Sequence, residues 1–479
     1  MIVRPESTIA ETLAHYAVAT QPVPDDVLAD ARMLLADTLG VTLLGATMPW
    51  SQAIRRVAEG LGGASQSTIC PDGVRTSAPM AAFVNGSFAH ANDFDDYYAF
   101  GPLHPSAGVW AVLPVAEWCG ASGDAALRAI ALYYDTCTRL AEVFFQAKSG
   151  ERSLASRGFQ AQALCGVFAA ALTTCNLLRM DVPQTVNALG IAGSYPGGIL
   201  EFLSDSSDTK RFHFGKASAQ GIMAALLARE GFRGPSTVFE GQRGFFNAYA
   251  GDYVGDQAVL ELGQRYDIRS SVKKRWPVMG GNTAPVEGLL EIVARHGLNA
   301  DDIETVTFGV RSHFVAYAGS GAEGASRNRP RNRFEAEMSL PYQAALAVVR
   351  GGITLDDFDE ASLCDPEILA FADKVQVLAD PEIDQVSRRD AFTASRVTVH
   401  THKSHAISER HDLPLGDPRR PMSEAQLLDK FLDCASRAIP LAQGRALWER
   451  CMTVGQDSSL DQLIRLSTVP PRTISEAGP

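Results

Sequence analysis

Hydrophobic residues recur at helical spacing along the first part of the chain, from about residue 7 to residue 268. Behind the acidic start at 24–26, positions suited to burial follow at one-turn and two-turn intervals; they are Val27, Ala31, Leu34, Leu35, Thr38 and Leu39. Alanine is abundant, as in residues 125–131 and 168–172. Because alanine-rich, weakly charged helices pack closely against one another, we predict an all-helical domain over residues 1–268.

The hydrophobic pattern changes near residue 269. Val306, Phe308 and Val310 alternate with polar neighbours, and residues 375–378 and 396–400 are further short β-branched runs, which are typical of strands. Helical patterns lie between these runs, at 285–295 and 341–349. This order of strands and helices predicts a smaller α+β domain over residues 269–404.

The last part of the chain returns to a helical pattern. Ser423 is a plausible helix cap before Leu427 and Leu428. We predict that residues 405–460 rejoin the helical domain and that residues 461–479 form a C-terminal tail. The predicted fold class is mainly α, with a large all-helical domain built from both chain ends plus a smaller α+β domain.

Composition narrows the class of protein. The 479 residues include 43 Lys plus Arg and 55 Asp plus Glu, which argues against a nucleic-acid-binding or basic membrane-surface protein. The eight cysteines are scattered without a Cys-x-x-Cys pair, so we expect reduced thiols in a cytoplasmic protein. No secretory signal is visible at the N-terminus. The uncharged stretches at 161–178 and 182–200 are better explained as buried core helices than as membrane spans.

Acidic and imidazole groups are concentrated in residues 89–98 and at His104. Asp93, Asp95 and Asp96 fall within four positions, and such a group is costly to hold together unless it binds a cation, pairs with bases or transfers protons. A solvated acidic loop is one alternative. A metal site made by these aspartates and His104 is another, but neither an EF-hand glycine nor a helical histidine pair supports it, and we expect no metal.

Positive charge is concentrated in two further segments. Lys210, Arg211, His213 and Lys216 provide the local cations that an acidic chain needs to hold a di- or tricarboxylate. A charge run on the surface is the alternative interpretation. Residues 273–275 are also basic. Together with the acidic segment, these clusters begin to describe a site for anion chemistry.

Motifs along most of the chain resemble those of one known family. The motifs are His90-Ala-x-Asp93-Phe-Asp-Asp96, His104-Pro-Ser106, Tyr134-Asp-x-x-x-Arg139, Lys210-Arg-x-His213-x-Gly215, Lys274-x-Trp-Pro277 and Ser339-Leu-Pro-Tyr342. In order and spacing they resemble the MmgE/PrpD family, and the similarity extends over residues 7–460. The resemblance implies a homodimer in which the α+β domain closes like a lid over a cleft. It also implies chemistry on a small carboxylate substrate without a cofactor, and neither a nucleic acid nor a membrane is expected as a partner.

The resemblance also implies roles for individual residues. Lys210 and Lys274 would grip and neutralise substrate carboxylates. His104 would be the proton-transfer group, Asp93 would orient and charge-balance that histidine or a lysine, and His213 is a second candidate acid. Substrate-binding roles are expected for Tyr97, Arg211, Gln160 and Thr283.

Two of these positions depart from the family pattern. Gln160 and Thr283 stand where many relatives have histidines, and neither can carry a proton at neutral pH. The resemblance implies a lyase of the 2-methylcitrate dehydratase or cis-aconitate decarboxylase type, acting on a small di- or tricarboxylate. The alternatives are an epimerase that shifts a proton next to a carboxylate, of the iminodisuccinate epimerase type, and a homologue that binds a carboxylate without turning it over.

Overall fold

The computed structural model describes residues 7–19, 22–145, 154–250, 253–319, 328–403 and 405–469. Up to residue 250 the described chain is mostly helical. The helices are α1 (Ile9–Val18), α2 (Asp25–Ala46), α3 (Pro49–Leu61), α4 (Ala78–Ala89), α5 (Ala107–Cys119), α6 (Gly123–Phe145), α7 (Ala161–Leu177), α8 (Val182–Ala192), α9 (Phe202–Asp205), α10 (Thr209–Arg229) and α11 (Phe245–Tyr249). Three short strands accompany them: β1 (Ser67–Ile69), β2 (Val74–Thr76) and β3 (Tyr97–Tyr98). The predicted fold class, mainly α, is confirmed.

Glycines allow α4 and α10 to approach each other closely. A Cβ atom at Gly215 would collide with the carbonyl oxygen of Phe83, and one at Gly86 would lie 2.8 Å from the Cα atom of Gly215. Glycine is therefore needed at this crossing, because no side chain fits between the two backbones. The crossing places the end of α4, which leads into the acidic segment, beside the first turn of α10, which carries Lys210.

After β4 (Ser271–Val272), short helices and strands alternate. The helices are α12 (Thr283–His296), α13 (Ser312–Ala318), α14 (Arg333–Met338), α15 (Leu340–Arg350), α16 (Glu360–Leu363), α17 (Pro366–Ala372), α18 (Pro381–Asp384) and α19 (Arg388–Ala391), and the strands are β5 (Ile303–Val310), β6 (Val375–Ala379), β7 (Ser395–Thr401) and β8 (Ala406–His411). These four strands form one sheet in the order β6-β5-β7-β8, in which β5 and β6 are parallel and the other neighbouring pairs are antiparallel.

The strands and helices that the sequence predicted in this region are confirmed, but β8 was not predicted. It is an edge strand whose residues are all partly or fully exposed, and Ile407 is its one large apolar residue, so no apolar alternation marks it. This strand begins just after residue 404.

Buried apolar side chains form two large clusters. The first joins the helices of the first part to α20 (Glu424–Ala435), α21 (Leu441–Thr453) and α22 (Asp461–Leu466), so that Leu35 and Phe431 belong to the same core. The second packs α12 and α15 around the sheet and includes Val306 and Phe308. The domain boundaries themselves stay a prediction, and residues 470–479 of the predicted tail lie outside the described residues.

Two other observations bear on the sequence analysis. All eight cysteines are free, and Cys119 and Cys364 are the exposed ones. Within the part of the chain that the structure describes, no helix has the length and apolarity needed to cross a membrane.

Candidate active site

The acidic segment that follows α4 is buried rather than solvated. Asp93, Asp95 and Asp96 are 4%, 1% and 0% exposed. The solvated acidic loop considered from the sequence is therefore wrong. Since buried carboxylates are costly without compensation, each of the three needs its own hydrogen-bonding or charged partners.

Two features of the fold bring basic side chains to this segment. Strand β3 pairs antiparallel with β4, with Tyr98 opposite Ser271, so the residues after β4 bring Lys273 and Lys274 beside the aspartates. The first turn of α10 brings Lys210 to the same place. Residues far apart in the sequence thus form one buried cluster.

Asp93 is held by two lysines. Its Oδ2 atom accepts a hydrogen bond from Lys210 Nζ at 2.5 Å, and its Oδ1 atom accepts one from Lys274 Nζ at 2.6 Å. Lys274 Nζ also donates to the carbonyl oxygen of Asp93 at 2.7 Å, where the backbone is left-handed with a φ of 48°. Burial alone would raise the pKa of Asp93, but the two ammonium groups hold it well below its usual range. Asp93 is therefore an ionised carboxylate shared between two ammonium groups.

The Asp95 carboxylate accepts hydrogen bonds from a histidine and a serine. His90 Nδ1 donates to Asp95 Oδ1 at 2.8 Å, and Ser106 Oγ donates to Asp95 Oδ2 at 2.9 Å. The His90 ring stacks on Phe214 with 3.7 Å between ring centroids. Its Nε2 atom is buried and has no hydrogen-bond partner among the described residues. Since a carboxylate oxygen only accepts hydrogen bonds, His90 carries a proton on Nδ1, and burial lowers the pKa of this imidazole.

The His104 ring is oriented by a backbone carbonyl. Its Nδ1 atom lies 2.7 Å from the carbonyl oxygen of Asp96, and since a carbonyl oxygen only accepts hydrogen bonds, Nδ1 carries the proton. Burial lowers the pKa of His104 to about 3, although Asp95, with Oδ2 3.7 Å from Nδ1, acts in the opposite direction. At neutral pH, His104 is therefore uncharged and its Nε2 atom can accept a proton.

The Asp96 side chain anchors the surrounding backbone. Its Oδ2 atom accepts hydrogen bonds from Ser271 Oγ at 2.5 Å and from the Tyr134 hydroxyl at 3.1 Å. Its Oδ1 atom accepts one from the Ser106 N–H at 3.1 Å. Burial raises the pKa of Asp96 to about 6. These bonds tie β4 to the turn that carries His104, and so fix the position of the imidazole.

A cavity of about 160 Å³ lies beside this cluster. Five of the predicted site residues line it; they are Asp93, Tyr97, His104, Gln160 and Lys210. Most of the remaining wall is apolar, and it includes Phe159, Phe202, Phe314 and Phe392. The structure thus brings a proton acceptor, an ammonium group and an apolar wall to one cavity.

Two predicted catalytic residues lie behind the cavity wall. Lys274 is 1% exposed, and its ammonium group is directed to Asp93. His213 Nδ1 donates to Gln160 Oε1 at 2.6 Å, and burial lowers the pKa of His213 to about 4. Both residues therefore reach the cavity only through a residue that lines it.

Arg211 and Thr283 are also outside the cavity wall formed by the described residues. The Arg211 guanidinium lies 3.9 Å from the centroid of the Trp50 ring system, and its Nε donates to the carbonyl oxygen of Ala91 at 3.0 Å. Thr283 Oγ1 lies 3.4 Å from the hydroxyl of Tyr97, which does line the cavity. Their roles in substrate binding stay predictions.

The same cluster offers a set of metal-ligand atoms. One such atom from each of His90, Asp93, Asp95 and His104 lies within 4.8 Å of the others. However, both carboxylate oxygens of Asp93 already accept hydrogen bonds from ammonium groups. A cation bound there would be repelled by two lysines, so these residues fit an anion better than a metal ion.

Comparison with known proteins places the chain in a family. Two family models match it, the MmgE/PrpD N-terminal domain over residues 9–256 and the MmgE/PrpD C-terminal domain over residues 276–453. The chain belongs to the MmgE/PrpD family. The family resemblance read from the sequence motifs is confirmed.

Several curated MmgE/PrpD relatives are similar over most of their length. Cis-aconitate decarboxylase of Aspergillus terreus is 24% identical over 97% of this chain and 97% of its own. Cis-aconitate decarboxylase of Homo sapiens is 25% identical over 89% of this chain and 87% of its own. The 2-methylcitrate dehydratase of Escherichia coli is 23% identical over 92% of each chain. The relatives thus include enzymes named for two different lyase reactions.

Sequence reasoning missed two parts of the site in this MmgE/PrpD protein. His90 was quoted within a motif without a role of its own, although it lies three residues before Asp93 and contacts Asp95. The apolar wall was also missed. Its residues come from segments as distant as Phe145 and Phe392, so no local sequence pattern could have marked them.

Proposed function

We propose that this MmgE/PrpD protein is a lyase that transfers a proton at a carbon next to a carboxylate, without a metal or an organic cofactor. The observation that carries this proposal is the pairing of His104 and Lys210 in one cavity wall. His104 offers an unprotonated Nε2 atom, and Lys210 offers a cation. The names of the relatives, decarboxylases and a dehydratase acting on small acids, support the same reaction class.

Lys210 would bind the substrate carboxylate. An ammonium group has three N–H donors, and one of those of Lys210 is used by Asp93. As a proton leaves the neighbouring carbon, negative charge spreads onto the carboxylate oxygens, and a fixed cation stabilises that charge. Asp93 and Asp95 together balance the charges of Lys210 and Lys274, and the remaining N–H donors of Lys210 can bind the substrate carboxylate.

His104 would transfer the proton through Nε2. When the imidazolium forms, its Nδ1–H bond to the Asp96 carbonyl is kept, and Asp95 lies 3.7 Å away as a counter-charge. A bound substrate carboxylate would add a second negative charge and raise the pKa of His104 from its low value. A general base or acid of this kind contributes about 10²–10⁴-fold to the rate.

Dehydration and decarboxylation can both use this arrangement. In dehydration, His104 takes the proton, the C–H electron pair forms the new double bond, the carbon–oxygen bond on the next carbon breaks, and the departing hydroxide takes that proton from the imidazolium to become water. In decarboxylation, the electron pair of the bond to the departing carbon dioxide stays with the substrate, and a carbon atom takes a proton. His104 would accept the proton in the first reaction. In the second, the bound substrate carboxylates would raise the pKa of His104, the ring would take a proton from water, and the imidazolium would donate that proton to the carbon atom.

The first experiment follows a panel of acids incubated with the protein in deuterated buffer. The panel contains 2-methylcitrate, citrate, cis-aconitate, iminodisuccinate and one monocarboxylate with a β-hydroxyl group, β-hydroxyhydrocinnamate. Nuclear magnetic resonance detects deuterium uptake, alkene formation and carbon dioxide loss. Alkene formation or carbon dioxide loss would support the lyase proposal, whereas exchange alone would favour the epimerase.

Two variants test the role of His104 in any reaction found. We expect His104→Gln to lower the rate by at least about 10²-fold. His400→Gln is the matched control, because this exposed imidazole lies on β7, away from the cavity. If no acid in the panel is changed or exchanged by the unaltered protein, the lyase proposal is contradicted and a carboxylate-binding homologue is favoured.

We also propose that the protein is a cytoplasmic homodimer. The family resemblance implies the dimer, and eight free cysteines suit a reducing compartment. Light scattering coupled to size exclusion should give twice the chain mass of 51.4 kDa. A particle with the mass of one chain would contradict the dimer.

A further inference from the structure

Most of the cavity wall is apolar, and its polar or charged side chains are those of Asp93, Tyr97, His104, Gln160, Lys210, His313 and Tyr317. Aromatic rings dominate it; they include Phe145, Phe159, Phe202, Phe314 and Phe392. Leucine and methionine side chains from two parts of the chain complete this surface. A site for a small tricarboxylate would instead need polar and cationic groups around its whole wall, since each carboxylate must exchange its water for protein donors.

Among the described residues of the wall, the side chains charged at neutral pH lie together at one end of the cavity. Lys210 is the one lysine or arginine in the lining that the described residues provide, and Asp93 lies beside it. The two histidines in the wall add no charge at neutral pH, because burial lowers the pKa of His104 to about 3 and that of His313 to about 4. A second carboxylate far from Lys210 would therefore lose its hydration without gaining a cation from any described residue of the wall.

The aromatic wall is held in place by its own packing. Phe314 and Phe392 meet edge to face with 5.3 Å between ring centroids. Phe202 packs in the same manner against Phe334, at 6.0 Å. Aromatic pairs of this geometry are favourable in themselves, so the surface is formed before any ligand arrives.

We propose that the substrate is a carboxylic acid whose charged groups lie at one end, against Lys210, and whose other end is an apolar group of about the size of one aromatic ring. This inference rests on the proposed function, because it specifies the acid on which Lys210 and His104 act. The size of the apolar group follows from the volume of the cavity. A cavity of about 150 Å³ lined by apolar side chains is large enough to bind benzene, and this one measures about 160 Å³.

Calorimetric titration of the full-length protein with three probes tests the inference. Hydrocinnamate has one carboxylate and one phenyl group, tricarballylate has three carboxylates and no apolar end, and hydrocinnamyl alcohol has the phenyl group without the charge. We expect hydrocinnamate to bind at least tenfold more tightly than either of the others. Equal or tighter binding of tricarballylate would overturn the inference.

Two variants connect the preference to the residues named. Lys210→Met should abolish the preference for hydrocinnamate over its alcohol. Lys374→Met is the matched control, since this lysine donates to the carbonyl oxygens of Ala300 and Ile303 and does not line the cavity. Leu200→Arg places a second cation at a half-buried position of the wall and should improve tricarballylate binding relative to hydrocinnamate. An unchanged preference in Lys210→Met or in Leu200→Arg would contradict the inference.

The binding results and the turnover results separate the two proposals. If tricarballylate binds best and the polycarboxylates in the panel are turned over, the lyase proposal stands and the inference about the apolar end fails. If hydrocinnamate binds best but no acid is turned over or exchanged, the apolar site stands and the lyase proposal fails.

Discussion

Lys274 and Lys210 bind the two oxygens of one carboxylate in different surroundings. The side chain of Lys274 is 0% exposed and that of Lys210 is 11% exposed. Lys274 donates to both a side-chain oxygen and the carbonyl oxygen of Asp93, whereas Lys210 also lines the cavity. We therefore expect replacement of Lys274 to cost mainly stability and replacement of Lys210 to cost mainly ligand affinity.

The two substitutions should differ in magnitude. Lys274→Met leaves two oxygens of Asp93 without donors where solvent does not reach, and removing one partner of a buried ion pair costs about 3–5 kcal/mol of the free energy of unfolding. Lys210→Met frees Oδ2 of Asp93 at the cavity wall, where water can reach it. We expect this change to cost about 1–2 kcal/mol.

Urea unfolding followed by circular dichroism measures the first effect, and calorimetric titration with hydrocinnamate measures the second. Lys374→Met serves as a control, because Lys374 donates to the carbonyl oxygens of Ala300 and Ile303 at the start of the sheet, away from the cavity. It should lower stability without changing affinity. The assignment of separate roles is refuted if both site variants lose equal stability, or if Lys274→Met loses more affinity than Lys210→Met.

Three further predictions test other parts of the structure. Burial raises the pKa of Asp96 to about 6, so the stability that its protonated carboxyl group contributes is present in acid and lost as the pH rises through that value. Between about pH 4 and about pH 7, urea unfolding should show the free energy of unfolding of Asp96→Asn rising relative to that of the unaltered protein. A difference between the two proteins that stays constant with pH would refute this. Gly215→Ala should destabilise the fold by about 1–3 kcal/mol or more, because the new Cβ atom meets a carbonyl oxygen of α4. Gly60→Ala has open space around the new Cβ atom and should stabilise α3 by about 0.5–1 kcal/mol. Equal thermal midpoints of the two variants would contradict both expectations. Gln160→Glu should raise the pKa of His213 from about 4, since a carboxylate would replace the neutral acceptor 2.6 Å from Nδ1, and an unchanged histidine titration by nuclear magnetic resonance would exclude this contact.

Local periodicity was sufficient to predict most of the regular structure. The apolar alternation at 303–310 corresponds to β5, and the helical spacing at 341–349 falls within α15. Burial on one face imposes those patterns, so they can be read without knowing the partner. Strand β8 lies at the sheet edge with both faces partly exposed, and no such pattern marks it.

The residues at the charged end of the site could also be predicted, but the different positions of its two lysines could not. Motifs brought attention to Asp93, Lys210 and Lys274, and the structure places all three in one ion-pair cluster. That Lys210 reaches the cavity and Lys274 does not depends on the α4–α10 crossing and on the pairing of β3 with β4. These long-range contacts have no signature in either lysine's neighbours along the chain.

His104 lines the cavity with its proton held on Nδ1, which leaves Nε2 unprotonated, and nitrogen-15 resonance of histidine-labelled protein tests this directly. With 10 histidines in the chain, the His104 signals can be assigned by their loss in His104→Gln. The expected result is a neutral ring at neutral pH, with a protonated Nδ1 and an unprotonated Nε2, that stays neutral until the pH approaches 3. A charged ring at neutral pH, or a proton on Nε2, would contradict the role of His104 as a proton acceptor beside Lys210.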